Sequence, residues 1–351
     1  MMTKSHIFIT LTTAFLALGG ARPERPCVCE TPAHDEVPPP ETSESVAGMV
    51  MPYLTEHCVA PPKECPHPDI TFHLYTRDSQ QDPHQLSVGD QASVSSARFE
   101  RGQPVKVIIH GYTGHKDFAP NPEIRPAYLK KHPYNVISVD YGPLARDGCY
   151  IQATYNVDLV GNCTAQMIDY LVDQGAARLE DFHVIGFSLG GQVAGQVGRF
   201  LKSGQLQRVT GLDPAMPNFF FFSNADSKLD ASDARFVDVV HTNAAFKGKT
   251  EMSGTVDFYI NGGFNQPGCE SVNVAGYSTC SHNRAPQYFA ESIDSEAGFW
   301  GRPCSGWFYC MIGWTNMGAA VLMGENVPLS TRGQYYVPTT TGPHFAKGKW
   351  W

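Results

Sequence analysis

The feature that most constrains the fold of this chain is a series of short apolar segments that alternate with longer segments of helical periodicity. Residues 105–112 and 135–142 are continuous apolar runs, which are typical of strands buried on both faces of a sheet. Residues 152–174 and 189–203 repeat apolar side chains every three or four positions, as a helix with one buried face does. This alternation predicts an α/β fold, with a mostly parallel sheet and helices on both of its faces.

The same alternation continues through the second half of the chain. Strands are predicted at 181–188, 208–215, 236–243 and 256–262, and a helix is predicted from about Ser281. In open parallel sheets, functional sites lie beyond the carboxyl ends of the strands. Three chemically useful features follow such strand ends: the turn 110–112, Ser188 and Asp213.

Ser188 lies at the centre of a segment, 186–190, that has the form Gly-x-Ser-x-Gly. An apolar run precedes this segment and a helical pattern follows it, so the serine is expected on a tight strand-to-helix turn. That is the setting of a nucleophile elbow. A serine hydroxyl is a weak nucleophile at neutral pH, so it needs a basic partner that is oriented by a carboxylate.

The chain order Ser, Asp, His that accompanies such an elbow selects Asp213 and His282 as partners of Ser188. Both are expected on loops that project a side chain over the edge of the sheet. Asp213 also fits an ordinary turn or helix cap. His241 competes with His282 as the base, and it fits equally well as a buried, hydrogen-bonded histidine at a strand end.

Attack of a serine nucleophile on an acyl carbon also needs two backbone N–H groups that face the negative oxygen formed during the reaction. One is expected from Leu189, because the first N–H groups of a helix have no intrahelical acceptor and the helix dipole favours negative charge there. The other is expected from Tyr112, which follows Gly111 in the turn after the first apolar run.

The N-terminus and the cysteines predict a secreted protein. Lys4, an apolar run of about 15 residues and small residues near Ala21 are typical of a signal peptide, and the run is short for a span of the bilayer. Residues 22–66 are expected to form a Pro-rich flexible arm, residues 67–346 the folded domain and residues 347–351 a short tail. With a net charge of −8 and no cluster of Lys and Arg, nucleic acid is not expected as a partner.

Ten cysteines fit an oxidising compartment better than a zinc site, because no pattern of ligand spacing is present. Their spacing predicts four local disulfides, and it leaves Cys27 and Cys29 unassigned. The predicted pairs are Cys58–Cys65, Cys149–Cys163, Cys269–Cys280 and Cys304–Cys310.

Five motifs in order make the chain, from about residue 66 to 345, resemble the animal pancreatic lipase family, and most of all its secreted insect members. They begin at residues 183, 211, 229, 257 and 280 and read HVIGFSLGGQVAGQVGR, GLDPAMP, LDASDARFVDVVHT, DFYINGGFNQPGC and CSHNRAPQYFAESI. The resemblance implies an α/β-hydrolase fold that acts on acyl esters of lipids. It also implies Ser188 as nucleophile, His282 as base and Asp213 as orienting acid, with Tyr112 and Leu189 at the oxyanion hole.

The resemblance further implies a structural calcium, although no cofactor is expected to take part in the chemistry. Asp230 and Asp233 would be its carboxylate ligands, and carbonyls near Ala225 and Lys228 would complete the site. Two aspartates three positions apart carry little information alone, because many solvated turns contain them.

Two departures from the family pattern bear on the substrate. The chain ends soon after the predicted catalytic module, so no C-terminal β-sandwich domain is expected. The loop between Cys269 and Cys280 holds only ten residues, among them Gly276 and several β-branched residues, so no stable amphipathic helix is expected there. Such a loop would border the cleft rather than cover it, as in phospholipase A1 members. Residues 218–222, NFFFF, would wall an acyl-chain groove, contact lipid or pack in the core.

The expected function is therefore that of a secreted serine carboxylester hydrolase, a lipase or phospholipase A1, that works on acylglycerols or phospholipids at a lipid surface. The alternative is a non-catalytic lipid-binding or yolk-type storage protein on the same scaffold. Such proteins lack the serine, whereas this chain has Ser188 in an intact elbow together with Asp213 and His282.

Overall fold

The computed structural model describes residues 58–219, 227–270, 274–342 and 344–351. Some features predicted from the sequence lie outside the described residues: the signal peptide 1–21, residues 22–57 of the arm, Cys27, Cys29, Phe220–Phe222 and Ala225.

Eleven strands of the described chain form one sheet. These are β1 Thr71–Tyr75, β2 His84–Leu86, β3 Val105–Ile109, β4 Asn135–Asp140, β5 Phe182–Phe187, β6 Arg208–Leu212, β7 Val237–His241, β8 Val256–Ile260, β9 Phe299–Pro303, β10 Val321–Met323 and β11 Gly333–Val337. Their order across the sheet is β10-β9-β11-β8-β7-β6-β5-β3-β4-β1-β2. The seven strands from β11 to β4 in this order are parallel to one another, whereas β9 and β10 at one side and β1 and β2 at the other pair antiparallel.

Helices cover both faces of this sheet, as predicted. They are α1 Gln91–Ser95, α2 Asn121–Lys131, α3 Tyr150–Asp173, α4 Leu189–Phe200, α5 Val274–Ser292 and α6 Trp307–Met311, with 3-10 turns at Arg77–Ser79, Gly142–Ala145 and Leu179–Asp181. Val107 and Ile109 of β3 pack in one core with α3 and α4, whereas Ile108 packs on the opposite face with α2 and α5. This architecture is the α/β-hydrolase fold. Within the described chain, no helix is both long enough and apolar enough to cross a membrane.

Two of the predicted disulfide pairings, Cys58–Cys65 and Cys149–Cys163, are wrong. The bonds join Cys58 to Cys149 and Cys65 to Cys163. Cys149 caps α3 and Cys163 lies fourteen residues later on that helix, about 21 Å away at 1.5 Å per residue, whereas disulfide Cα atoms lie within about 7 Å. The seven residue steps from Cys58 to Cys65 can span a similar length, so this segment lies alongside α3 and is bonded at its two ends to Cys149 and Cys163. The other two pairs form as predicted: Cys269–Cys280 and Cys304–Cys310.

The helix α5 begins at Val274, well before the predicted start near Ser281. The second half of the loop between Cys269 and Cys280 is therefore helical, contrary to expectation. An isolated helix of this length would be unstable, but these residues extend a longer helix that packs on the sheet, so they need no separate nucleation. His282 consequently lies inside a helix and not on a loop.

Candidate active site

Ser188 occupies the turn between β5 and α4, and its backbone has a φ of 56°. This left-handed conformation is uncommon for a residue with a side chain. Hydrogen bonds hold it in place, because its N–H donates to the Leu212 carbonyl at 2.9 Å and its own carbonyl accepts from Ala215 at 3.0 Å. A Cβ at Gly186 would lie 2.0 Å from the Gly190 oxygen, so only glycine permits so tight a turn. The strained turn presents the serine side chain above the carboxyl edge of the sheet.

Asp213 follows β6 and is completely buried. Its Oδ1 atom accepts hydrogen bonds from the backbone N–H groups of Thr242 at 2.8 Å and Asn243 at 3.1 Å. Its Oδ2 atom lies 2.5 Å from Nδ1 of His282. The two N–H groups at the end of the adjacent strand β7 therefore fix the carboxylate while it holds the imidazole.

Thr242 and Asn243 were not anticipated as part of the site. Their contribution comes from the backbone, so no side-chain motif identifies them. The available signal was their place directly after β7, the strand that follows β6 in the chain and pairs with it in the sheet.

Among the described residues, the imidazole of His282 has a hydrogen-bond partner at one nitrogen only. An ionised carboxylate only accepts hydrogen bonds, so Nδ1 carries a proton and donates a hydrogen bond to Asp213. In the neutral ring, Nε2 then keeps a lone pair. The ring packs against Phe187, the residue before Ser188, with centroids 4.6 Å apart. Pro286 has no N–H to donate to the His282 carbonyl one helical turn earlier, and this carbonyl accepts instead from Thr242 Oγ1 at 3.4 Å.

His241, the rival base, has no unbound nitrogen. Its Nδ1 atom lies 2.9 Å from the Lys249 carbonyl, and its Nε2 atom lies 2.7 Å from Oδ2 of Asp257. The ring is fully buried and stacks on Tyr259 at 4.4 Å. Since both nitrogens face acceptors, neither can take a proton from a hydroxyl group.

The two other buried histidines of the described chain, His110 and His183, are engaged in the same way at both nitrogens. His110 pairs with the Gly111 carbonyl and the Tyr141 N–H, and His183 pairs with Lys106 and Thr210. Among the buried histidines that the structure describes, His282 alone has a ring nitrogen without a partner. This difference in ring contacts favours His282 over His241 as the candidate base.

Ser188 and His282 line the same cleft, which has a volume of about 490 Å³. Aromatic rings form much of its wall, and the other lining residues are small or neutral except for one lysine. These residues are Gly111, Tyr112, Thr113, Phe118, Ala119, Tyr150, Phe187, Ala215, Pro217, Lys247, Thr279 and Asn283. Thr279 belongs to the helical part of the loop closed by Cys269 and Cys280, so this loop borders the cleft as predicted.

The turn after β3 brings Tyr112 beside Ser188. A Cβ on Gly111 would lie 2.9 Å from the Cβ of Ser188, so this close approach requires glycine. Within the described chain, the backbone N–H of Tyr112 has no acceptor, and Leu189, as the first residue of α4, has none in its helix. In the part of the chain that the structure describes, both predicted oxyanion donors are thus N–H groups near the serine without a backbone acceptor.

Asp230 and Asp233 lie on one turn outside the cleft, and Oδ2 of Asp233 accepts from the Asp230 N–H at 2.8 Å. Burial raises the pKa of Asp233 to about 7, and the charge of Asp230 adds to this, although Arg199 lies 3.8 Å away. The positive charge near Asp233 is too small to keep its pKa at the usual value. The two carboxylates offer the kind of oxygen ligands that Ca²⁺ prefers. The described residues contain no cluster of three His, Cys, Asp or Glu side chains, so carbonyls or water would supply the remaining ligands.

Comparison with known proteins gives consistent matches. Residues 48–309 match the family model described as Lipase. Pancreatic triacylglycerol lipase of Sus scrofa is 35% identical over 257 residues, which cover 67% of this chain and 56% of that protein. Pancreatic lipase-related protein 2 of Mus musculus is 34% identical over 256 residues, covering 68% and 52%. The chain thus spans about half the length of the curated relatives it matches.

Proposed function

The chain belongs to the Lipase family, and we propose on this premise that it is a serine carboxylester hydrolase that releases fatty acids from acylglycerols or phospholipids. The observation that carries the proposal is the state of His282. Its Nδ1 atom is hydrogen-bonded to Asp213 at 2.5 Å, while its other nitrogen has no partner among the described residues and lies in a cleft that Ser188 also lines.

In the proposed reaction, Ser188 Oγ attacks the ester carbonyl carbon while Nε2 of His282 takes the hydroxyl proton. Asp213 holds the imidazole in the required tautomer and stabilises the imidazolium. The N–H groups of Tyr112 and Leu189 bind the oxyanion of the tetrahedral intermediate; the loss of one such donor typically costs about 10²–10³ in kcat. His282 then protonates the departing alcohol, which leaves an acyl-enzyme. A water molecule, deprotonated by His282, then attacks the acyl carbon. The bond between this carbon and Ser188 Oγ breaks, His282 returns the proton to Oγ, and the fatty acid is released.

The proposed substrates are lipids that enter from a membrane or lipid-particle surface. The aromatic wall formed by Tyr112, Phe118 and Tyr150 suits acyl chains, because apolar burial contributes about 25 cal/mol per Å². Four disulfides in the described chain suit an oxidising compartment and support secretion. The short loop between Cys269 and Cys280 supports a phospholipase A1 activity beside or instead of a triacylglycerol lipase activity.

The experiment that tests the proposal is analysis of fatty acids released from mixed vesicles of triolein and phosphatidylcholine. The wild-type protein is expected to release fatty acid, and Ser188→Ala is expected to release none above background while it unfolds at a similar temperature. If the folded wild-type protein releases nothing, or if Ser188→Ala is equally active, the non-catalytic lipid-binding alternative takes its place.

A structural Ca²⁺ at Asp230 and Asp233 is part of the proposal, in a role separate from the chemistry. Removal of Ca²⁺ with a chelator is expected to lower the unfolding temperature of the wild type, because a ligand that binds only the native state stabilises it. The shift should disappear in Asp233→Asn. Equal unfolding temperatures with and without Ca²⁺ would argue against a calcium site.

A further inference from the structure

Lys247 contributes the only ammonium group to the cleft wall that the structure describes. Its Nζ atom donates to the Thr279 hydroxyl at 2.8 Å, and no carboxylate among the described residues forms an ion pair with it. Among the described residues, the hydrogen-bond partner of this ammonium group is therefore a neutral hydroxyl.

The backbone holds this lysine firmly beside the proposed catalytic groups. Its carbonyl accepts from the Met216 N–H at 2.8 Å, and its N–H donates to Asn243 Oδ1 at 3.3 Å. Asn243 is also one of the two residues whose N–H groups fix Asp213. The position of Lys247 is thus coupled to the same strand ends that position the carboxylate and the serine.

The half-buried ammonium is already in an environment that disfavours its charge. Burial lowers the pKa of Lys247, and the negative charge of Asp213 only partly opposes this effect. A lipid seated in the cleft would exclude more water from the amine. Burying an ammonium without an opposite charge is costly, and the ester groups of a triacylglycerol carry no charge to compensate it. A phosphodiester does carry that charge, and it forms charge-assisted hydrogen bonds.

We infer that Lys247, together with the Thr279 hydroxyl, forms a subsite for the phosphodiester of a glycerophospholipid. The inference rests on the proposed function, since it concerns the same cleft. In a glycerophospholipid only the glycerol backbone separates the acyl ester from the phosphate, so one molecule can present its ester to Ser188 and its phosphate to the cleft wall. The subsite makes a phospholipid a better substrate than an acylglycerol of equal chain length.

The test compares two substrates, dioleoylphosphatidylcholine and diolein, each dispersed in the same neutral detergent micelles. In Lys247→Met the charge is lost and the apolar stem is kept. The ratio of kcat/KM for the phospholipid to kcat/KM for diolein is expected to fall at least about tenfold, which corresponds to roughly 1.4 kcal/mol. Lys247→Arg keeps the charge and is expected to restore the ratio to within about threefold. Lys202→Met, at an exposed lysine outside the cleft lining, is the matched control and should leave the ratio unchanged.

An unchanged ratio in Lys247→Met, or an equal loss of both activities, would overturn the inference, as would a loss that Lys247→Arg does not restore. Lys247→Gln replaces the methionine variant if the latter does not fold. Failure of the proposed function is distinguishable, because the wild-type protein would then hydrolyse neither substrate.

Discussion

Among the described residues, His282–Asp213 and His241–Asp257 are two buried histidine–aspartate pairs in hydrogen-bond contact, and only the first borders the cleft. His282 and Asp213 approach to 2.5 Å, and His241 and Asp257 approach to 2.7 Å. The members of both pairs are buried. The difference lies in the other ring nitrogen, which has no partner among the described residues in His282 and faces the Lys249 carbonyl in His241. A histidine–aspartate contact is therefore poor evidence for catalysis unless a basic nitrogen remains for the substrate.

The carboxylates of the two pairs are held by the same kind of contact. Asp213 accepts two backbone N–H groups from the end of β7, and Asp257 accepts the N–H groups of Ser253 and Gly254 at 2.9 and 2.8 Å. What differs is the neighbour of the ring, because His282 packs on Phe187 next to Ser188, whereas His241 stacks on Tyr259. The first pair serves chemistry in our account, and the second serves the stability of the fold.

The largest effect expected from this comparison is on turnover. Asp213→Asn should lower kcat about 10⁴-fold, because an amide in place of the carboxylate favours the wrong imidazole tautomer. Asp257→Asn makes the same chemical change in the other pair and should lower kcat less than about tenfold. Initial rates on a soluble short-chain ester, measured on folded protein of both variants, check this. Similar losses in the two variants would contradict the separation of roles.

The second effect is on stability, and it should appear in the pair outside the cleft. Asp257→Asn is expected to lower the free energy of unfolding by roughly 3 kcal/mol, because it removes one member of a buried charge-assisted contact and leaves His241 and a backbone N–H poorly satisfied. Ser188→Ala, which breaks no described side-chain hydrogen bond, serves as the control and should change stability little. Urea unfolding gives both values, and an equally stable Asp257→Asn would refute the structural role of this pair.

The smallest effect concerns a third buried histidine, His183, and the pH dependence of stability. Burial, together with the charges of Arg208 and Lys106, holds the pKa of His183 well below its ordinary value. Near pH 6.5, His183 therefore becomes protonated in the unfolded chain but stays neutral in the folded chain. The free energy of unfolding should fall as the pH drops below that value. Asp233 has the opposite effect on stability when no calcium is bound. Its pKa is raised to about 7, so as the pH falls the folded protein takes up this proton before the unfolded chain does, which stabilises the folded state.

His183→Gln isolates the histidine contribution, because the Asp233 effect is common to both proteins. Between pH 6.5 and pH 5, the wild type is expected to lose up to about 1.4 kcal/mol per pH unit more than the variant. Urea unfolding at several pH values, with excess calcium present, measures this difference. Parallel pH profiles would show that His183 accepts its proton in the folded state.

The comparison also shows where sequence patterns were informative. The placement of Ser188 and Asp213 directly after two strands was predicted correctly, because local patterns mark strand ends and parallel topology brings these ends to one edge. The choice between His282 and His241 could not be made in this way. It depends on what the second ring nitrogen faces, and the Lys249 carbonyl that faces it in His241 is a backbone group without a sequence signal.

The errors have a common physical origin in contacts between segments. Cys149 and Cys163 are close in sequence, but an α-helix separates them in space and brings each next to a cysteine of an extended segment. The early start of α5 likewise depends on the longer helix and the sheet beneath it, not on the propensities of Val274 and Gly276. Propensity and spacing describe a segment alone, whereas these outcomes depend on its partners.

The most direct test of the central claim is to locate the adduct of a fluorophosphonate probe by mass spectrometry. The account predicts one modified peptide that carries the probe on Ser188, no adduct in Ser188→Ala, a labelling rate at least about 10³-fold lower in Asp213→Asn and a rate close to the wild type in Asp257→Asn. An adduct on another residue, or equally slow labelling in the two aspartate variants, would contradict it.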